Sequence, residues 1–236
     1  MKPYQTIPIQ DCGEPLVPIP LESFSVVQPH PYQVLGAPYG DRSPYWLRTS
    51  VVEALLQAQA LLQESQPGWQ IQLFDAYRPI PVQRFMVDYT AHELAKQQGL
   101  EFTELSDLER HTLLTQVYQF WALPSTDPNT PPPHSTGAAV DITLVDEAGH
   151  PVEMGSPIDE LSERSYPDYF QQFSDLSSQH IHAHRCQLRQ ALVLAGFQQH
   201  PNEWWHFSKG DQLWAWLSSQ VNEQLQIAYY GCADTC

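Results

Sequence analysis

The sequence predicts a single α+β domain, and two observations support this. Segments with strand patterns are grouped in the middle and at the end of the chain, and segments with helical patterns flank them. The length of 236 residues suits one compact domain, and a hydrophobic content of 42%, with seven Trp, eleven Tyr and nine Phe, is enough for a sizeable core. Residues 1–42 hold many prolines and little periodicity, so we expect an extended arm packed on a body formed by residues 43–236.

Helices are predicted from apolar residues at helical spacing. The clearest covers residues 51–63, where the apolar side chains form one stripe: Val51, Ala54, Leu55, Ala58, Leu61 and Leu62. Residues 81–98 follow, with a proline in the first turn and a glycine after the end. Residues 105–121, 182–195 and 212–225 complete the helical candidates.

Strands are predicted from alternating apolar and polar residues. Residues 69–74 alternate in this way, and so do residues 138–145, where Val140, Ile142 and Leu144 share one face. The sequence of residues 146–149 is typical of a hairpin turn. Residues 197–207 fit either a pair of strands or one bent strand.

Charge and cysteine content exclude several functional classes. The 27 acidic and 11 basic side chains give a formal charge of -16, which disfavours nucleic acid and anionic membrane surfaces as partners. No apolar run is long enough for a membrane span or a signal peptide. Four cysteines are too few for a disulfide scaffold, and we expect Cys232 and Cys236 to be free thiols rather than a metal site or a disulfide. These features favour a cytoplasmic location.

Two separated segments carry the residues suited to chemistry. The first is His134 with Asp141 seven positions later on the predicted strand, and a buried carboxylate there needs a partner such as a metal. The second is the run from Glu203 to His206. Two His and one Asp would bind zinc and leave a fourth position for water, and Glu203 would act as base. The spacing alone leaves a simpler alternative open, in which Trp204 and Trp205 are core residues and Glu203 lies in a solvated turn.

Four motifs resemble those of the zinc D-alanyl-D-alanine dipeptidases, the family that includes the vancomycin-resistance enzyme. Residues 134–141 resemble its H-x-x-G-x-A-x-D signature, and residues 203–206 are similar to its E-W-W-H signature. Residues 75–79 resemble its D-x-Y-R-P element, and residues 154–159 its M-G-[ST]-x-[FI]-D stretch. The four motifs occur in the family's order and span more than half of the chain.

The resemblance implies a fold, a reaction and a set of residue roles. It implies a Hedgehog/DD-peptidase-like domain in which an antiparallel sheet carries one Zn²⁺ and helices pack on the other face. The reaction would be hydrolysis of a D,D-dipeptide, most favourably D-alanyl-D-alanine. The implied roles are metal ligation by His134, Asp141 and His206, general base for Glu203, stabilisation of the tetrahedral intermediate by Arg78, and substrate binding by Asp159 and Tyr77.

One position departs from the family pattern. The family usually has a serine two residues before the first histidine ligand, where its hydroxyl meets the substrate, and Pro132 stands there in this chain. Strict preference for D-alanyl-D-alanine is therefore less well supported than dipeptidase chemistry. Three alternatives stay open from sequence: a D,D-carboxypeptidase acting on longer muropeptides, a non-catalytic zinc-binding module of the same fold, and an α+β domain without metal. The oligomeric state is not predictable from the sequence.

Overall fold

The fold is α+β, as the sequence predicts. It was described from a computed structural model that covers residues 2–222 and 225–233. The strands are β1 (Leu16–Pro18), β2 (Ser25–Val26), β3 (Trp46–Arg48), β4 (Gln70–Asp75), β5 (Ala139–Val145), β6 (Gln198–Gln199) and β7 (His206–Ser208). The α-helices are α1 (Pro31–Val34), α2 (Thr49–Ser65), α3 (Ile80–Gln97), α4 (Asp107–Phe120), α5 (Leu176–Leu194) and α6 (Gln212–Asn222).

A five-stranded sheet in the order β2-β4-β5-β7-β6 forms the centre of the molecule. Strands β4, β5, β7 and β6 pair antiparallel, while the edge strand β2 pairs parallel with β4. The sheet is therefore mostly antiparallel rather than wholly so. The parallel pair arises because β2 reaches the edge through a long connection that contains β3 and α2, as parallel pairing requires. A second, two-stranded sheet pairs β1 with β3.

One face of the central sheet is packed against helices. Ile71, Leu73, Ile142, Leu144 and Phe207 project from this face, and none of their surface is exposed. They belong to the main core cluster together with apolar residues of α2 and α5. The stripe that the sequence predicts on residues 51–63 is thus the face of α2 that contacts the sheet. The opposite face of β5, called the polar face below, carries Asp141 and Thr143 between Ala139 and Val145.

A bulge in β4 changes which face carries Asp75. Strict alternation would place Asp75 on the core face with Ile71 and Leu73, but the pairing register between β4 and β5 shifts between Leu73 and Asp75. Asp75 therefore stands opposite Asp141, on the polar face of the sheet. Two carboxylates lie next to each other as a result, and they need a shared cation.

Most predicted elements are confirmed, with one clear error in a helix boundary. The helix predicted over residues 182–195 begins six residues earlier, at Leu176, because Asp175 caps it by accepting a hydrogen bond from the Ser178 amide. The turn over residues 146–149 is present, and residues 197–207 form the antiparallel pair β6–β7. The last helix is described as far as Asn222; residues 223–224 lie outside the described part, and residue 225, the predicted end, is not helical.

Residues before position 43 contribute strands to both sheets. Strand β1 lies in the two-stranded sheet and β2 in the central sheet, and Ile19 and Phe24 belong to the main core cluster. Residues 3–6 form a 3₁₀ helix that contacts α6. The division of the chain at residues 42 and 43 stays a prediction from the sequence.

The sequence predicts that the chain has no membrane span and that Cys232 and Cys236 are free thiols. Within the described residues, none of the helices combines the length and hydrophobicity needed to cross a bilayer. Cys12 and Cys186 are free thiols. Cys236 lies outside the described residues, so the predicted state of the C-x3-C pair stays a prediction.

Candidate active site

Three side chains from distant parts of the chain converge on the polar face of the sheet. Their potential ligand atoms, in His134, Asp141 and His206, lie within 4.8 Å of one another, and these residues form the one cluster suited to a metal among the described residues. His134 Nε2 is 3.2 Å from Asp141 Oδ2, and His206 Nδ1 is 3.0 Å from Asp141 Oδ1. All three side chains are buried.

The strands explain why these residues meet. Asp141 of β5 and His206 of β7 are directly opposite each other in the antiparallel ladder, so their side chains project from the same face. His134 lies on a 3₁₀ turn, Pro133–Thr136, that ends at Gly137. Gly137 has a φ of 71°, a left-handed conformation that glycine adopts readily and that directs the chain into β5.

Hydrogen bonds fix the tautomers of His134 and His206 so that an unprotonated ring nitrogen of each faces the other. His134 Nδ1 donates to the Ala76 carbonyl at 2.6 Å, so its Nε2 carries a lone pair. Ser208 donates its hydroxyl hydrogen to Asp211, so the same oxygen accepts from His206 Nε2 at 3.3 Å. The two unprotonated nitrogens, His134 Nε2 and His206 Nδ1, are 3.1 Å apart and lie beside the Asp141 carboxylate. A bound cation would stabilise this arrangement.

Arg78 joins the two carboxylates that the β4 bulge brings together. Its guanidinium contacts Asp75 Oδ2 at 2.8 Å and Asp141 Oδ2 at 2.9 Å. Burial favours a raised pKa for Asp75, but the Arg78 charge and the hydrogen bond from His30 bring that pKa below its usual value. Asp141 is likewise buried and faces the same guanidinium. Arg78 therefore pairs with Asp75 as well as with the candidate metal ligand Asp141.

Glu203 lies beside the cluster in the segment that precedes β7. A turn at residues 201–202 and a bend at residues 204–205 bring Glu203 to the same side as His206, which an unbroken strand would not do. Its Oε2 is 3.7 Å from His206 Nδ1. Its Oε1 is buried and finds no hydrogen-bond partner among the described residues. Burial, reinforced by the Asp141 carboxylate, raises the pKa of Glu203 to about 8.

The two tryptophans between Glu203 and His206 are core residues. Trp204 and Trp205 are each 2% exposed and lie in the main core cluster. Trp204 Nε1 donates to Ser156 Oγ at 2.9 Å. The simpler interpretation is therefore correct for the tryptophans but not for Glu203, which is buried rather than in a solvated turn.

Asp159 lies at the same site in an unusual backbone conformation. Its φ of 68° makes it the one non-glycine residue with a positive φ among the described residues, and such strain is often found at functional positions. Tyr32 donates to Asp159 Oδ2 at 2.8 Å and accepts from Arg78 Nη2 at 3.2 Å. Burial, together with the Asp141 charge, raises the pKa of Asp159 to about 7.

These groups line one narrow cavity of about 40 Å³. Its lining residues are Lys2, Tyr4, Arg78, Gln83, Phe120, Trp121, Ala122, Pro133, His134, Asp141, Asp159, His200, Glu203, Trp205 and His206. The structure thus brings together six of the seven residues that the sequence singles out. Tyr77, the seventh, is 1% exposed and does not occur among these lining residues, so its substrate contact stays a prediction.

Several residues of the site carry no recognisable signal in the sequence. Lys2, Tyr32 and His200 are isolated in the chain and belong to none of the four motifs. His200 is buried, and its Nδ1 accepts a hydrogen bond from the Asn202 amide. Desolvation, aided by His206, holds the pKa of His200 well below its usual value, so it is neutral. Only the folding of the chain brings Lys2 and His200 to the cavity, and Tyr32 to its hydrogen bonds with Asp159 and Arg78.

Comparisons with known proteins agree with the motifs. The family model described as D-ala-D-ala dipeptidase matches residues 25–226. A D-alanyl-D-alanine dipeptidase of Synechocystis sp. is 52% identical over 98% of this chain and 96% of that protein. A D-alanyl-D-alanine dipeptidase of Enterococcus faecalis is 28% identical over 67% of this chain and 71% of that protein. Among solved structures, the LdcB LD-carboxypeptidase is similar at a TM-score of 0.49 and 15% identity, covering 93% of this chain and 78% of that one.

The extent of these matches decides the family. The family model covers well over half of the chain, and the Synechocystis relative is similar along nearly all of it. The resemblance seen in the four motifs is thereby confirmed. The chain belongs to the D-Ala-D-Ala dipeptidase family and is a peptidase.

Proposed function

We propose that the protein hydrolyses D-alanyl-D-alanine to D-alanine with one Zn²⁺ held by His134, Asp141 and His206. The convergence of these three ligand atoms within 4.8 Å is the observation that carries the proposal. The name of the Synechocystis relative, 52% identical to this chain, supports the choice of substrate. The cytoplasmic location and the lack of nucleic-acid partners stay predictions from composition.

The ligand set suits zinc better than a hard cation. Two imidazole nitrogens and one carboxylate are ligands that Zn²⁺ accepts, whereas Mg²⁺ and Ca²⁺ prefer oxygen ligands. When bound, the ion supplies a Lewis acid and brings the pKa of a bound water close to neutrality. The hydrogen bonds to Ala76 and Ser208 fix the tautomers that such binding needs.

Glu203 is the proton carrier in this proposal. Its buried Oε1, which has no partner among the described residues, is available to accept a proton from the attacking water. Burial raises the pKa of this carboxyl group, so it accepts a proton more readily than a solvated glutamate and can hold the proton before releasing it to the departing amine. The low-dielectric surroundings that raise its pKa also exclude bulk water from the transfer.

Arg78 and Asp159 supply the remaining charges. The Arg78 guanidinium is held by Asp75, Gln83, Tyr32 and Asp141, so its positive charge is fixed beside the cavity where an oxyanion would develop. Asp159 would accept the substrate's ammonium group. The name of the Synechocystis relative favours a dipeptide over the longer muropeptides of a D,D-carboxypeptidase.

The test compares hydrolysis and metal content in purified protein. Zinc-loaded protein should bind about one Zn²⁺ per chain and release D-alanine from D-alanyl-D-alanine. Glu203→Ala should lower kcat by roughly 10²–10⁴ with unchanged zinc content, because Glu203 is not a ligand. Glu64→Ala, which removes an exposed carboxylate of α2, is the matched control and should retain full activity.

The substrate panel separates the alternatives. A dipeptidase should lose activity when the amino end of the substrate is extended, whereas a D,D-carboxypeptidase should prefer tripeptides and pentapeptides. Absence of stoichiometric zinc, or equal hydrolysis by wild type and Glu203→Ala, would contradict the proposal. Bound zinc without hydrolysis of any of these peptides would instead indicate a binding module.

A further inference from the structure

A lysine from the start of the chain lies at the candidate active site. Lys2 and Tyr4 both line the cavity with Glu203 and His206, although they are about 200 positions away in sequence. Lys2 immediately precedes the 3₁₀ helix Pro3–Thr6, in which Pro3 is the first residue. The Lys2 amide donates to Gln5 Oε1 at 2.8 Å, and the Gln5 amide donates back to the Lys2 carbonyl. These bonds fix the backbone of Lys2.

The segment that carries Lys2 is docked on the body at several points. Gln212 of α6 donates to the Ile7 carbonyl at 2.6 Å, and the Gln10 amide donates to the Ala228 carbonyl. Ile7 packs with Ala215 and Ala228 in a small apolar cluster. These contacts lie C-terminal to Lys2, so a substitution of the Lys2 side chain leaves them in place.

The charges of the cavity leave a role for one more cation. Asp141, Asp159 and Glu203 are its acidic lining residues, and Arg78 is engaged by Asp75 and Asp141. Besides Arg78, Lys2 is the one lysine or arginine among the cavity's described lining residues. A dipeptide is a zwitterion, so its binding brings a carboxylate as well as an ammonium group into the cavity. The carboxylate requires a positive partner if it is to be desolvated.

Position 132, where the family usually has a serine whose hydroxyl meets the substrate, cannot bind the substrate carboxylate in this chain. Pro132 has neither a hydroxyl nor an amide hydrogen to donate. We propose that Lys2 binds the C-terminal carboxylate of the dipeptide substrate in place of that hydroxyl. This inference rests on the proposed dipeptidase function and assigns a specificity-determining residue to it.

Asp159 and Lys2 reach the cavity from different parts of the fold. Asp159 contacts Tyr32, Tyr32 contacts Arg78, Arg78 contacts Asp141, and Asp141 contacts His206. Lys2 lines the cavity together with Glu203, whose Oε2 is 3.7 Å from His206 Nδ1. In this proposal Asp159 holds the ammonium group of the substrate and Lys2 holds its carboxylate. Burial lowers the pKa of Lys2, opposed by the Glu203 charge, so its ammonium is poorly hydrated and pairs strongly with an anion.

The experiment compares D-alanyl-D-alanine with its C-terminal amide, which lacks the carboxylate. Zinc-loaded wild-type protein should prefer the free acid. Lys2→Met should lower kcat/KM for the free acid by roughly 10–100-fold, mainly through KM, and change the amide by less than about threefold. Lys2→Arg should keep most of the preference because it keeps the charge. Lys96→Met, which removes an exposed lysine of α3, is the matched control and should leave both values unchanged.

Binding provides a second readout that does not depend on turnover. Calorimetric titration of Glu203→Gln with both compounds should show the same preference for the acid, and the double variant with Lys2→Met should lose it. Equal losses for acid and amide, or an unchanged ratio, would overturn the role of Lys2 while leaving the dipeptidase function intact. A Lys2-dependent preference in binding without hydrolysis by wild type would support Lys2 and contradict the proposed function. Absence of both binding and hydrolysis would overturn both.

Discussion

Ser208 determines which nitrogen of His206 faces the candidate metal position. The serine hydroxyl donates to Asp211 at 2.8 Å, so its oxygen is left to accept from His206 Nε2. Burial raises the pKa of Asp211, while its hydrogen bonds from the Trp214 amide and Ser208 oppose that rise. The hydrogen bonds that join Asp211, Ser208 and His206 thus keep His206 Nδ1 unprotonated and directed toward His134 Nε2. Such outer hydrogen bonds orient a ligand without touching the metal.

Removal of the Ser208 hydroxyl should weaken metal binding. We expect Ser208→Ala to raise the Kd for Zn²⁺ by roughly 10–100-fold, because His206 can then adopt the other tautomer or rotate. A competition titration with a chromophoric chelator measures the change. Ser65→Ala, at an exposed serine whose hydroxyl donates to the Leu62 carbonyl in its own helix, is the matched control and should leave the Kd unchanged. An unaltered Kd in Ser208→Ala would show that the His206 tautomer is fixed by other means.

At the residue scale, the sequence predicts the parts of the site that belong to motifs. His134, Asp141, Glu203 and His206 were identifiable because they stand in motifs that resemble the family's signatures, whereas their spacing alone left a simpler alternative open. Ser208 was not, since a serine two residues after a histidine is common and its role depends on Asp211. Tyr32 and Lys2 were not identifiable either, because their partners lie more than 40 positions away and no local pattern marks them.

At the scale of elements, the segment from Met154 to Asp159 is anchored to two other parts of the fold. Arg185 of α5 donates to the Met154 carbonyl at 2.7 Å. Ser156 Oγ accepts from Trp204, next to Glu203. Gly155 has a φ of 81°, and a Cβ there would lie 2.4 Å from the Phe170 ring and 2.8 Å from Ile181 Cγ2. The motif's glycine therefore allows a close approach that brings Asp159 to the cavity.

Gly155→Ala should destabilise the protein more than Gly149→Ala. Both residues have positive φ, at 81° and 80°, so each substitution costs about 1 kcal/mol in backbone strain. The new Cβ at residue 149 meets nothing within 4 Å, whereas at residue 155 it must displace Phe170 or Ile181, for a further ~1–3 kcal/mol. Urea-induced unfolding of both variants measures the difference. Equal free energies of unfolding would show that the Phe170 ring moves aside without cost.

The elements themselves were predictable where a pattern of side chains controls them. Helix α2 and strand β5 were identified because their apolar residues repeat at 3.6 and 2 positions. The start of α5 was misplaced, since residues 176–181 lack a clear apolar stripe and the capping by Asp175 was overlooked. The β4 bulge that carries Asp75 to the polar face was not predictable, because a register shift depends on the partner strand.

At the scale of the whole molecule, the candidate metal site links segments that are far apart in the chain. His134 precedes β5, Asp141 lies on it, and His206 lies on β7, 65 positions later. An unfolded chain holds no such preformed site, so a metal bound by these residues binds the folded state selectively. The same three residues connect the centre of the sheet with the 3₁₀ turn, so a bound ion would resist separation of these elements.

Zinc should therefore raise the thermal stability of the protein. At a free concentration 100-fold above the Kd, we expect about 2.7 kcal/mol of stabilisation and a rise in Tm of roughly 5–10 °C. Differential scanning fluorimetry with zinc and with a chelator measures the shift. His206→Ala should abolish it, whereas His150→Ala should retain it, because His150 is exposed in the hairpin turn and distant from the cluster. Mg²⁺ should give no shift, since two of the three ligands are imidazoles. A zinc-induced shift that survives in His206→Ala would place the stabilising ion elsewhere on the molecule.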